Sequence, residues 1–222
     1  MKRLFTLFFA TAALVVSAQK VTSSNPVNND PEAKKILDAV SAKFKTYKAP
    51  QAAFTYKIEN AQGKVMSSKN GTVTMKGNKY KVTIPGMEIF SDGKTNWNYD
   101  KGANEVTVKE VDGAAGEITP QKLFTNFYDK DFLYKLNGSK TEAGKSLYEI
   151  ELTPTNKTRP YHKVYLYIDK ATKTFYRARI LEKSGNRYSY TVNSLKPNVT
   201  VTDALFVFNK AKYPGVEVVD LR

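Results

Sequence analysis

Cysteine is absent from all 222 residues. That excludes disulfides, thiolate nucleophiles and cysteine-based zinc sites, so any stability outside the cytoplasm must come from packing. Histidine is almost absent as well, His162 being the single one. No histidine-rich metal spacing and no Gly-x-Ser-x-Gly elbow occur, so metal and nucleophilic catalysis lack their usual parts. Glu149 and Glu151 share one face of a predicted strand, the side away from Tyr148 and Ile150, and read as solvated. The expectation is a protein that is not an enzyme, with no catalytic residues, no metal and no cofactor.

Long apolar runs are also missing, apart from the first. Lys2 and Arg3 precede Leu4–Val16, and Val16-Ser17-Ala18 offers the small residues of a signal-peptidase site. The run falls short of the roughly 20 residues that span a bilayer. Residues 1–18 therefore read as an export signal cut near Ala18. About 204 residues remain (222 less 18), enough for one domain with a sizeable core. Acidic residues are few, 21 against 35 basic. Losing Lys2 and Arg3 leaves 33 basic residues and a charge of +12. An exported chain rarely meets nucleic acid, and most lysines alternate with apolar residues along strands. They read as a solvated outer face, with attraction to anionic membrane surfaces as the functional alternative.

Residues 19–29 are polar and read as a flexible leader ahead of a domain spanning 30–222. Asp30-Pro31 is a helix start, a capping carboxylate followed by a proline whose missing N–H costs nothing. Ala33, Ile36, Leu37, Val40, Phe44 and Tyr47 then recur at helical spacing up to Pro50. Beyond it the period becomes two. Phe54-Tyr56-Ile58, Val73-Met75, Tyr80-Val82-Ile84 and Trp97-Tyr99 alternate with polar residues. Gln62-Gly63, Asn70-Gly71, Gly77-Asn78, Asp92-Gly93, Lys101-Gly102 and Asp112-Gly113 mark turns. Thr119-Pro120 opens a second helical stretch with Leu123, Phe124, Phe127 and Tyr128 on one side. Strands resume around Ile150, Leu166, Ala178 and Tyr190, and the tail at 204–208 and 216–219 reads as a last extended segment.

This is a mainly β (α+β) chain: a long antiparallel sheet interrupted by two helices. Ten or so twisted strands must curl or close, which turns one set of side chains toward a common interior. The helices can fill that interior as an ordinary core or lie as lids over a ligand cavity. Periodicity does not separate the two.

The block Ser91-Asp92-Gly93-Lys94-Thr95-Asn96-Trp97-Asn98-Tyr99-Asp100, leading into Asn104-Glu105-Val106-Thr107-Val108, resembles the Ser-Asp-Gly-Lys-Thr-x-Trp-x-Tyr hairpin of the periplasmic outer-membrane lipoprotein carrier (LolA) family. The Asp30-Pro31 opening, Leu152-Thr153-Pro154, and Phe206-Val207-Phe208 before Pro214-Gly215-Val216 are similar too. The resemblance runs from residue 30 to about 220. It implies an unclosed β-barrel covered by helices, whose apolar cavity takes lipoprotein acyl chains. It implies a monomeric periplasmic carrier with three kinds of partner: acylated lipoproteins, an inner-membrane ATP-driven lipoprotein exporter and an outer-membrane acceptor of unknown identity.

On that basis the lipid-binding wall is expected at Phe54, Tyr56, Val73, Met75, Tyr80, Val82, Ile84, Met87, Ile89, Trp97 and Phe124, with Leu123, Phe127 and Tyr128 in the lid. Met75-Lys76-Gly77-Asn78-Lys79 departs from the family, which has an arginine before a proline there as a lid latch. Lys76 is the cation left to substitute, without the guanidinium fork. The outer-membrane acceptor of the same fold carries a lipidated N-terminal cysteine where this chain has Gln19, which favours the carrier. An apolar-ligand or lipid sensor on the same scaffold, without lipoprotein transfer, is the alternative.

Overall fold

The structure, a computed structural model, describes residues 29–111 and 128–222. The signal segment, most of the leader, and Leu123, Phe124 and Phe127 lie outside the described residues. Helix α1 (Pro31–Lys45) starts where Asp30 accepts hydrogen bonds from the amides of Glu32 (2.8 Å) and Ala33 (3.3 Å). The other Asp30 carboxylate oxygen accepts from the Leu136 amide at 2.9 Å, so one side chain both caps the helix and pins it to the sheet. Asn29, expected in the flexible leader, does the same for the Tyr134 amide at 3.1 Å.

Among the described residues, twelve strands form one sheet. The first meander runs β1 (Gln51–Glu59), β2 (Val65–Lys76), β3 (Lys79–Ile84), β4 (Met87–Ser91), β5 (Thr95–Asp100) and β6 (Glu105–Glu110). After the single-turn helix α2 (Tyr128–Asp131), a second comprises β7 (Phe132–Glu142), β8 (Lys145–Pro154), β9 (Tyr161–Asp169), β10 (Thr174–Glu182) and β11 (Arg187–Lys196). The two meet at a single seam, β1 against β11, and β12 (Glu217–Asp220) adds in parallel to β6. The order is β12-β6-β5-β4-β3-β2-β1-β11-β10-β9-β8-β7. Its ends do not pair, so the curve stays open, as expected for an unclosed barrel.

The inner face carries the main core. Ala52, Phe54, Val73, Met75, Leu152, Val164, Leu166 and Ala178 are buried with Ala33, Leu37 and Val40 of α1. Two expectations about the chain's course change. Asn70-Gly71 is no turn but lies inside β2, and the reversal comes at Pro85-Gly86 instead. Gly71 pairs with Phe54 on one side, and Ile84 stands beside it on the other. A Cβ there would lie 2.4 Å from an Ile84 methyl and 2.7 Å from the Phe54 ring, so glycine lets both close over the backbone. The tail is not extended throughout either: Asp203–Phe206 and Lys210–Lys212 are short 3-10 turns ahead of β12.

Gly71→Ala should therefore destabilise the protein by about 1–3 kcal/mol through overpacking. Urea unfolding would show a lower midpoint with an unchanged slope. Thr72→Ala, one residue along the same strand and exposed, serves as a comparison free of the clash.

Candidate functional site

The concave face follows from register. Val73 pairs with Ala52 and Val82, and Val82 pairs with Ile89. Met75 pairs with Tyr80 and Ile84 with Met87, which brings the expected residues of β1 to β4 onto one wall. Phe54, Val73, Met75, Tyr80 and Val82 form its buried floor. Tyr56, Ile84, Met87 and Ile89 are only half-buried although they lie on the inside of the curve.

The seam adds residues that sequence reasoning did not place there. Val192 stands opposite Phe54, and Tyr190 opposite Tyr56. The Tyr56 ring stacks on Tyr190 at 4.9 Å and on Tyr188 at 6.1 Å. Tyrosine phenols are neutral near pH 7 at their ordinary pKa, and burial raises those of Tyr56 and Tyr190 further. Ile180, Tyr148 and Leu136 extend the partly buried surface across the second meander. Their strands were legible, but their common face depends on a pairing between β1 and β11 that has no local signal.

Trp97 is a correction. It pairs with Phe90 and Val108, and its neighbour Asn98 pairs with Ile89, so Trp97 sits on the convex side. There it packs against a second cluster of Tyr99, Val106 and Val216, joined by Phe208 and Tyr213. The ring of Phe208 lies 4.5 Å from Tyr213 and 5.7 Å from Phe90. The apolar face of the sheet thus changes sides across β4 and β5. On the concave side of β5 the side chains are Asn96, which accepts from the Tyr80 hydroxyl at 3.2 Å, Asn98, and Asp100 opposite Met87.

Lys76 is a second correction. Its ammonium lies 2.8 Å from Asp203, and Lys79 lies 2.7 Å from the other oxygen of the same carboxylate. The pair holds the Asp203 carboxyl down at about 2 and clips the C-terminal segment to the β2–β3 turn. Lys76 therefore serves the C-terminal segment in the described residues. An open groove of about 910 Å³ runs beside that segment on the convex face, between Thr72, Thr83, Glu88, Tyr99 and Tyr213. Ile84 and Met87 reach its margin at the β3–β4 turn.

Glu149 and Glu151 lie on the convex side as expected, but both are buried rather than solvated. Lys140 and Lys163 pair with them, and Asn137 bridges the two carboxylates at 3.2 and 3.3 Å. These partners lower both pKa values against the opposing cost of burial. Burial also pushes the neighbouring Tyr167 phenol up to about 12. His162 is exposed, and no group of three or more metal-ligating side chains occurs among the described residues.

Of the expected lid, Tyr128 is described. It is buried, donates to Asp38 of α1 at 2.7 Å, and meets Tyr134 edge-on at 5.7 Å. The Tyr128 hydroxyl, with Lys34, lowers the pKa of Asp38. Tyr128→Phe should cost about 0.5–1.5 kcal/mol, the net worth of an ordinary hydrogen bond, because the Asp38 carboxylate is half exposed and screened by solvent. A depressed carboxylate stabilises the fold above its unfolded value near 3.8, and that contribution disappears as pH falls through the folded value. The wild type and Tyr128→Phe should thus differ in urea midpoint at neutral pH and converge in acid.

A family model described as "Outer membrane lipoprotein carrier protein LolA" matches residues 44–209. An outer-membrane lipoprotein carrier protein of Histophilus somni is 27% identical over 218 residues, 96% of each chain. One from Haemophilus influenzae is 29% identical over 175 residues, covering 77% of this chain and 80% of the relative. Among solved structures, an uncharacterised conserved protein of Thermus thermophilus superposes with a TM-score of 0.58 at 16% identity, over 85% of this chain and 99% of that one. At that identity the likeness is one of fold.

Proposed function

Since the chain belongs to the outer membrane lipoprotein carrier protein family, we propose that it shelters lipoprotein acyl chains against its concave wall and moves them between the two membranes. The observation that carries this reading is the half-buried apolar surface inside the curve. Tyr56, Ile84, Met87 and Ile89 border the buried floor without being sealed themselves.

Burying a methylene gains about 0.8 kcal/mol, so a triacylated protein released into water faces a cost on the order of tens of kcal/mol. A carrier must remove most of that cost and still let go. A wall of Met, Ile and stacked Tyr does so through many weak contacts that tolerate different chain positions. No strong charged contact is needed. An export signal at residues 1–18 would deliver the carrier to the periplasm. There an ATP-driven inner-membrane exporter would load it and an outer-membrane acceptor would unload it.

The test is transfer from inner-membrane vesicles containing that exporter and a triacylated lipoprotein. The chain should release the lipoprotein as a soluble one-to-one complex. Ile89→Glu, which places a charge on the half-buried wall, should reduce that complex at least tenfold while circular dichroism stays unchanged. Thr72→Glu, on the exposed convex side, should leave it intact. Lipoprotein that stays in the vesicles would overturn the carrier reading, and binding of free lipid without release would identify a sensor.

A further inference from the structure

The β1–β2 hairpin has a feature that the concave wall does not use. β3 pairs with β2 only at Thr72–Lys76, so among the described residues Val65–Gly71 has a strand neighbour on the β1 side alone, about 20 Å of strand at 3.3 Å per residue. The hairpin therefore stands out past the β3–β4 turn at one end of the barrel. Its tip is rigid: Asn60 accepts from the amides of Gln62 (3.1 Å) and Lys64 (2.9 Å), and Arg187 of β11 donates to the Ala61 carbonyl at 2.9 Å.

At this tip the register slips between Ile58 and Glu59. Val65 faces Glu59, Ser67 faces Ile58, and Met66 is the extra residue of the bulge. Bulges re-aim side chains, and here the outcome is Met66 at 63% exposure beside Val65 at 47%. Met66 is the most exposed large apolar side chain among the described residues. Lys57 and Lys64, both exposed, flank the pair on the same hairpin, while Lys69, farther down the strand, donates to the Pro85 carbonyl at 3.2 Å. Lys183 and Arg187 of the neighbouring hairpin and Lys157 of the β8–β9 loop stand on the same end. The acids there are engaged: Glu59 pairs with Arg179 at 3.0 Å and Asp131 with Arg159 at 3.2 Å, and Glu182 accepts from Ser184 at 2.9 Å.

From this geometry we infer that the β1–β2 hairpin tip is a docking site for an anionic lipid bilayer, with Met66 and Val65 entering the interface and Lys57 and Lys64 meeting the headgroups. The inference goes beyond the carrier reading and does not rest on it. A convex tip with two apolar side chains ringed by cations suits a fluid surface that closes around it; a folded acidic partner would need a matching concavity. It also gives the excess of basic residues a place to act, since attraction to an anionic surface adds roughly the same free energy for each lysine that comes close.

Flotation with vesicles of phosphatidylethanolamine and phosphatidylglycerol, against phosphatidylcholine alone, tests this without any lipoprotein. The chain should bind the anionic vesicles and not the neutral ones. Val65→Ser with Met66→Ser should weaken binding about tenfold or more, and each of Lys57→Gln and Lys64→Gln about fivefold. Lys43→Gln with Lys173→Gln, at the opposite end of the barrel, should have no effect. Because the chain has no cysteine, Met66→Cys carrying an environment-sensitive dye reports on this one position, and its emission should shift to the blue on the anionic vesicles. Absent binding, equal binding to both lipids, or equal loss in the distant lysine variant would each overturn the proposal. So would capture by immobilised poly-glutamate without any binding to vesicles. Loss of lipoprotein transfer with intact vesicle binding would count against the carrier reading alone.

Discussion

Alternation governs this molecule more than any single contact. Side chains along a strand point to opposite faces, so pairing register decides which apolar residues meet. Through β1 to β3 the apolar set faces inward with α1. Across β4 and β5 it changes sides: Ile89 stays inside, while Phe90, Trp97, Tyr99, Val106 and Val108 face out. Two faces then need cover. The inner one takes α1 over the second meander. The outer one takes the C-terminal segment, with Phe208, Tyr213 and Val216 on the second cluster and β12 completing the edge of β6.

The switch also divides the chemistry. Where the apolar set is inside, the wall is mostly apolar and partly open; where it is outside, the inner side carries Asn96, Asn98 and Asp100. The ionic partners gather on the convex side of the second meander, where Arg177 grips Glu142 and lies 4.3 Å above the Tyr167 ring. Buried pairs of this kind add little net stability, but they cover the convex side without apolar residues. Charge reaches the inner side at Lys69, opposite Tyr56, and at Asp100, opposite Met87, both exposed.

Much of this was legible in the residues. Asp30-Pro31 marked the helix start, and period two marked the strands from Phe54 to Tyr190. The wall residues of β1 to β4 shared a face because short hairpins fix register locally. What failed had non-local causes. Trp97 alternates correctly with Asn96 and Asn98, but alternation does not say which face is inner once the apolar set changes sides. Gly71 looked like a turn beside Asn70, because the Phe54 and Ile84 side chains that require it come from other strands. Glu149 and Glu151 were placed on the right face, and their burial comes from Asn137, Lys140, Lys163 and the tyrosines of β9. The turns of the tail answer to Lys76 and Lys79, more than 120 residues away.

The β1–β11 seam has a kinetic consequence. Thr55 and Asn193 meet across it at a separation of 138 residues. Hairpins within each meander can form as soon as their residues are available, whereas this junction must wait for nearly the whole chain. Until then β1 has one side unpaired, the condition under which strands recruit the wrong partner. Thr55 and Lys57, polar side chains on the waiting strand, make a poor template for an apolar intruder. In such a sheet, order of synthesis and order of assembly diverge, and the strand that forms first is among the last to be completed.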